Sequence, residues 1–145
     1  ADAGNRGIIN IINKFIEEDN KKLIKAYRNL EHLEYLSLLS ICSVMIGNSS
    51  GAVLEAPSFG LPVVNIGTRQ DGREKAKNIL DVPYDKEQIV KAIKKSLYDK
   101  EFLKIVKKKE SPYLPFGDAR TGERIAEILA NIKIDDKLLN KKLTY

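Results

Sequence analysis

Five residues, Gly47-Asn48-Ser49-Ser50-Gly51, lie between the apolar run Val44-Met45-Ile46 and a helix-like run that reaches Phe59. Their types allow two chemistries. As G-x-S-x-G they fit a nucleophile elbow, in which a serine on a sharp strand-to-helix turn attacks a carbonyl. As small residues at such a turn they also fit an anion cradle, where backbone N–H groups and two hydroxyls hold a phosphate. The attacking serine needs a histidine to take its proton, and in α/β-hydrolases the order is Ser, acid, His. The sequence has one histidine, His32, upstream of Ser49, so the attacker lacks its base. Asn48-Ser49-Ser50 also spells a glycosylation sequon. With no charged-then-apolar leader opening the sequence, that match is read as accidental.

The residues after Ser50 strengthen the cradle. If Ser50 is the N-cap and Gly51 the first helical residue, the first amides carry partial positive charge towards an anion. Glu55, four residues on, then falls on the same face about 6 Å along the axis. A carboxylate there would be repelled by a phosphate but suits the two vicinal hydroxyls of a ribose, so the spacing describes a nucleotide. The plainer alternative is that Ser49 and Ser50 only cap a helix and Glu55 is a surface charge. Beyond the next apolar run, Gly67-Thr68-Arg69-Gln70-Asp71-Gly72-Arg73 sets two arginines on a glycine-containing loop. Each is a solvated charge or a phosphate fork.

The elements that must position these groups follow from periodicity. Residues 5–18, 34–42, 51–59, 86–98, 101–108 and 120–132 read as helices, with Pro57 expected to shorten or kink the third. Residues 22–28, 43–46, 62–66 and 78–82 read as strands or extended pieces, and residues 111–118 as a loop by their Pro and Gly content. Alternation of the two predicts an α/β fold, a Rossmann-like doubly wound parallel sheet. Ligands of such sheets sit at the carboxyl ends of the strands, where both candidate loops fall. Residues 1–132 are expected to form one nucleotide-binding domain and residues 133–145 a charged tail. Because the chain opens on "ADAG" and a helix, where a strand would ordinarily come first, it is expected to be part of a larger protein.

Composition narrows the class. The 145 residues are 43% hydrophobic and 31% charged, a globular balance, with no run long enough to span a membrane, which predicts a cytoplasmic location. The single cysteine, Cys42, lies in an apolar stretch and is expected to be a buried structural thiol. One His and one Cys leave no cluster for zinc, so no metal and no cofactor are expected. The net charge of +5 comes from lysines scattered over amphipathic segments, Lys21, Lys22, Lys91, Lys94, Lys95 and Lys107 among them. They are not interleaved with aromatics, so a solvated surface is expected rather than a nucleic-acid site.

Read together, "MIGNSSGAVLEAPSFGLPVVNIGTRQDGR" resembles the hydrolysing UDP-N-acetylglucosamine 2-epimerases, which open sialic and nonulosonic acid synthesis. "ADAG" looks like the end of that family's P-N-x-D-A-G loop, and "SPYLPFGDARTGERIAEIL" is similar to its N-P-Y-G-D-G-x-A-x-x-R-I segment, with Leu114-Pro115-Phe116 inserted. The resemblance implies the C-terminal half of a glycosyltransferase-B-like fold, with a missing N-terminal domain as its partner. It implies that Ser49, Ser50 and Gly51 meet the UDP phosphates, Glu55 the ribose, and Arg69 the phosphates or the loop that shapes them. Leu30 to Tyr35 would border the uracil, with Arg73 and Asp2 as further candidates. It implies a UDP-sugar substrate, an acid and base on the other domain, no catalytic residue in this chain, no turnover by it alone, and an enzyme that is often a dimer. Two other classes share these residues: the nucleotide-binding domain of a UDP-sugar glycosyltransferase, and a non-enzymatic nucleotide-sensing module.

Overall fold

The computed structural model describes residues 5–114, 118 and 120–140. Three strands, β1 (Met45–Gly47), β2 (Val63–Ile66) and β3 (Ile79–Val82), make a parallel sheet in the order β1-β2-β3. Met45 pairs with Val63 and Val63 with Ile79, so these three side chains share one face. Onto it pack α2 (His32–Ile41), α3 (Gly51–Leu54) and α4 (Ala56–Phe59), through a cluster of Leu39, Ala52, Ala56, Leu61 and Val63. Val64, one residue on, points to the other face and is fully buried. Helix α5 (Lys86–Tyr98) runs against β2 and β3, and α6 (Lys100–Val106) packs on α5. These two helices start where aspartates cap them: Asp85 accepts from the Gln88 amide and Asp99 from the Phe102 amide, both at 2.9 Å. The α/β, parallel, Rossmann-like expectation is met.

The sheet is stitched by side chains as well as by its ladder. Asn65, fully buried in β2, donates to Asp81 at 2.7 Å, and Lys75 bonds the same carboxylate at 2.8 Å. Asn78 donates to the Leu61 carbonyl at 2.7 Å and so ties the approach to β3 to the approach to β2. These contacts hold β2 and β3 in register and thereby fix where their carboxyl ends fall.

Three expectations are corrected. Residues 22–28 form no strand. The Asp19 carboxylate takes the Lys21 and Ile24 amides at 3.2 and 2.6 Å, and Lys22 adopts φ +53°, while no strand lies alongside among the described residues to supply a ladder. The helix expected over residues 51–59 is instead two single turns, α3 and α4, broken at Glu55. Pro57 falls at the start of the second turn, where its missing N–H does no harm, and Gly60 ends it at φ +65°. Cys42 is exposed, at the C-cap where the backbone leaves α2 in an extended conformation.

Helix α1 (Asn5–Glu18) forms as expected, yet Ile8, Ile9, Ile11, Ile12 and Phe15 are all more than 40% exposed. Helix α7 (Thr121–Asn131) likewise leaves Ile125, Ile128 and Leu129 at the surface. A groove of about 480 Å³ runs between Ile9 and Ile12 of α1 and the segment Ala26, Tyr27 and Arg28. The stretch expected to be a tail carries a short helix, α8 (Asp136–Leu139), capped by Asp135. Asp2 and the rest of "ADAG", together with Pro115, Phe116 and residues 141–145, lie outside the described residues.

Candidate functional site

The serine loop leaves the carboxyl end of β1 through Gly47, whose φ of +139° turns the chain sharply. Ser49 and Ser50 are exposed at its tip. Ser50 occupies the N-cap position but its hydroxyl makes no capping bond; the Gly51 amide donates to Ser49 Oγ instead, at 3.3 Å. Among the described residues no hydrogen bond joins Ser49 to His32, the first residue of α2, so nothing here prepares an attacking serine. The following helix is a single turn and its dipole is correspondingly small. An anion at this loop must be held by individual N–H groups and hydroxyls, and by charge brought from elsewhere.

That charge stands on the next loop. The Gly67 amide still pairs with the Val82 carbonyl at 2.9 Å, after which φ +78° turns the chain out of the sheet. Two residues later Arg69 and Gln70 both reach back to the serine loop: Gln70 Nε2 donates to the Asn48 carbonyl at 2.7 Å and Arg69 Nη1 to the same oxygen at 3.4 Å. Gln70 is 2% exposed and anchors the bridge, while Arg69 is exposed, with its guanidinium on the backbone of the serine loop. The two carboxyl-end loops are therefore one unit. Arg73 lies further along, exposed and without a partner among the described residues.

Glu55 sits at the break between α3 and α4. A Cβ placed on Gly51 would lie 2.7 Å from Glu55 Oε2 and would overlap the hydroxyl of Tyr35, which reaches up from α2. Gly51, Glu55 and Tyr35 thus meet at one point, and only glycine leaves room for the other two. The Tyr35 hydroxyl is buried with no aligned hydrogen-bond partner among the described residues. Burial pushes its pKa up to about 12, and the neighbouring negative charge of Glu55 adds to the shift. Because this folded value exceeds the ordinary 10.0, ionisation favours the unfolded chain. Stability contributed by the neutral phenol is complete below pH 10 and is lost as the pH rises through about 12. Thermal unfolding at pH 9 and pH 11.5 should show a larger loss for the wild type than for Tyr35→Phe. Equal losses would mean that the hydroxyl is solvated.

Ser49, Ser50, Gly51, Glu55, Arg69 and Tyr35 are brought together. Leu30, half-buried, ends the segment that leads into α2, and Arg73 is left apart. Sequence reasoning missed Asn48, Gln70 and Tyr84. Gln70 had a signal, being the one uncharged long polar side chain between Arg69 and Asp71. Tyr84 had little: it follows β3, lies 77% exposed, and its ring closes over Gly67. Replacing Gln70 with leucine removes the 2.7 Å bridge and should cost about 1 kcal/mol of stability, the net value of one such bond. It should also weaken anion binding severalfold through a looser serine loop. Unchanged melting and unchanged binding would show the bridge to be incidental.

The parallel sheet with two joined loops at its carboxyl edge is that of a Rossmann-like domain, and comparison with known proteins places it more narrowly. The profile of the family described as UDP-N-acetylglucosamine 2-epimerase matches residues 1–130. The chain belongs to that family. It is 32% identical to the UDP-N,N'-diacetylbacillosamine 2-epimerase (hydrolyzing) of Legionella pneumophila over 145 residues, all of this chain and 36% of that protein. It is 31% identical to a UDP-N-acetylglucosamine 2-epimerase of Neisseria meningitidis over 126 residues, 86% of this chain and 32% of the relative. A 40% identity over 84 residues joins it to the GDP/UDP-N,N'-diacetylbacillosamine 2-epimerase (hydrolyzing) of Campylobacter jejuni, covering 56% of this chain and 21% of the other. The chain thus spans about a third or less of the curated relatives it matches. No helix among the described residues is long and apolar enough to cross a membrane.

Proposed function

We propose that this chain is the UDP-binding, C-terminal part of a hydrolysing 2-epimerase acting on a UDP-N-acetylated amino sugar, with UDP-N-acetylglucosamine as the type substrate. The observation that carries the reading is the bridge from Gln70 and Arg69 to the Asn48 carbonyl, which sets a guanidinium against the serine loop at the carboxyl edge of the sheet. The α and β phosphates rest on Ser49, Ser50 and the amides at Gly51, with Arg69 as the charge-assisted donor. Glu55 accepts from the ribose hydroxyls, and Leu30 with the ring of Tyr35 borders the uracil. Arg73, exposed and further along the same loop, is a further candidate contact for the nucleotide.

In the whole enzyme a base removes the proton from C2 of the sugar while the C1–O bond to UDP breaks, giving a glycal. Water then adds across that double bond, its hydroxyl to C1 and its proton to the opposite face of C2, which releases N-acetylmannosamine. The acid and base belong to the upstream domain. This chain holds the leaving group, and Arg69 and the serine loop meet the negative charge that grows on the departing diphosphate, where preorganised donors count most. By itself the chain binds nucleotide and turns nothing over. The uncovered faces of α1 and α7 support a partner domain, because apolar stripes of this extent are costly to leave in water. The whole enzyme is cytoplasmic and forms a homodimer.

The test is turnover of UDP-N-acetylglucosamine by the full-length protein, followed as UDP release together with N-acetylmannosamine formation. UDP release with transfer of the sugar to an acceptor would instead make the protein a glycosyltransferase.

A further inference from the structure

We propose that Tyr35 is a positioning residue for Glu55: its hydroxyl donates to one oxygen of that carboxylate and turns the other towards the ribose of the bound nucleotide. The inference rests on the UDP-binding reading above. The two side chains come from different elements, Tyr35 from α2 and Glu55 from the break between α3 and α4, and both abut the hydrogen-only face of Gly51. A tyrosine whose ring merely fills the core would need no oxygen, and phenylalanine would serve. Here the oxygen is buried and lacks an aligned partner among the described residues, an arrangement that proteins avoid unless the group is used.

Glu55 is the acceptor within reach. No Lys, Arg or His pairs with it among the described residues, and its charge and its hydrogen-bonding capacity both help to raise the phenol pKa, so one of its oxygens stands within reach of the hydroxyl. The phenol keeps its proton throughout the working range, since its pKa is raised to about 12, and it remains a donor there. A carboxylate held by one oxygen presents the other in a fixed direction. That is the requirement for reading a pair of vicinal hydroxyls, in which both donors must find lone pairs at set angles. Tyr35 thereby acts on the ribose through Glu55 without touching it by its hydroxyl.

The discriminating readout is the preference for UDP over 2'-deoxy-UDP, measured calorimetrically with the full-length protein as wild type, Tyr35→Phe, Glu55→Gln and the double variant. The wild type should favour UDP by roughly tenfold or more, as for a hydrogen bond to a charged group. Tyr35→Phe should reduce that ratio at least threefold, weakening UDP more than 2'-deoxy-UDP, which keeps only the 3'-hydroxyl for Glu55, while the circular dichroism spectrum stays unchanged. In the Glu55→Gln background the same change should do nothing further, since both residues act through one carboxylate. A ratio preserved in Tyr35→Phe overturns the inference, as does an equal loss for both nucleotides or an effect undiminished in the Glu55→Gln background. If the wild type binds UDP without preferring it to 2'-deoxy-UDP, the ribose role of Glu55 fails and Tyr35 with it. If UDP does not bind at all, the functional reading itself is wrong.

Discussion

Replacing Arg69 with alanine is expected to weaken UDP binding by the full-length protein roughly 10- to 150-fold, the equivalent of about 1.5–3 kcal/mol for a charge-assisted bond. Arg69 is the charged donor that the bridge to Asn48 sets beside the serine loop, and the single helical turn behind that loop supplies little dipole to replace it. The loss should be larger for UDP than for UMP, because the second phosphate brings the additional charge. Lysine at this position should recover only part of the affinity, since an ammonium lacks the planar fork that meets two oxygens at once. Stability should hardly change: Arg69 is exposed, and its 3.4 Å contact with Asn48 is secondary to the shorter bond from Gln70. Equal losses for UDP and UMP would place Arg69 away from the second phosphate.

The second large effect is expected from Gly51→Ala. Its new methyl would stand 2.7 Å from Glu55 Oε2 and on top of the Tyr35 hydroxyl. Glu55 can swing away at little cost. Tyr35 cannot, because its ring packs with Leu36 against the cluster of Leu39, Ala52, Ala56, Leu61 and Val63. Overpacking of this kind costs about 1–3 kcal/mol, which outweighs the gain of alanine over glycine in helix propensity, at most about 1 kcal/mol in a helix interior. The protein should therefore melt several degrees lower and bind UDP at least tenfold more weakly, as the carboxylate is pushed off its station. Adding Tyr35→Phe removes the clashing oxygen and should restore much of the stability but not the affinity. Full tolerance of alanine would mean that Gly51 is there for helix entry alone.

Much of the arrangement can be read from residue types, and the exceptions have physical causes. The buried strands and the loops after them are legible because apolar runs end abruptly at Gly47 and Gly67, residues the chain needs in order to turn at positive φ. Helix α5 is legible from its periodicity and from Asp85 at its start. The segment 22–28 misleads because a short mixed run, with Leu23, Ile24, Ala26 and Tyr27 between charges, suggests an extended piece, while a strand also requires a neighbour. Spacing puts Glu55 beside Gly51, and it is found there, although by a break between two turns and not by one continuous helix. The Gln70 bridge is out of reach of the sequence because it joins residues 22 apart through a carbonyl, and no side-chain pattern marks a carbonyl. Cys42 misleads for a related reason: an apolar neighbourhood in sequence does not say which side of a helix end faces the core.

The most direct measurement is calorimetric titration of UDP, UMP and free N-acetylglucosamine into the full-length protein. If the serine loop and Arg69 hold a diphosphate, UDP binds more tightly than UMP, by roughly tenfold for each added charge-assisted bond, and the free sugar gives no heat. If UMP binds as tightly as UDP, or the sugar binds and UDP does not, these loops do not form a diphosphate site.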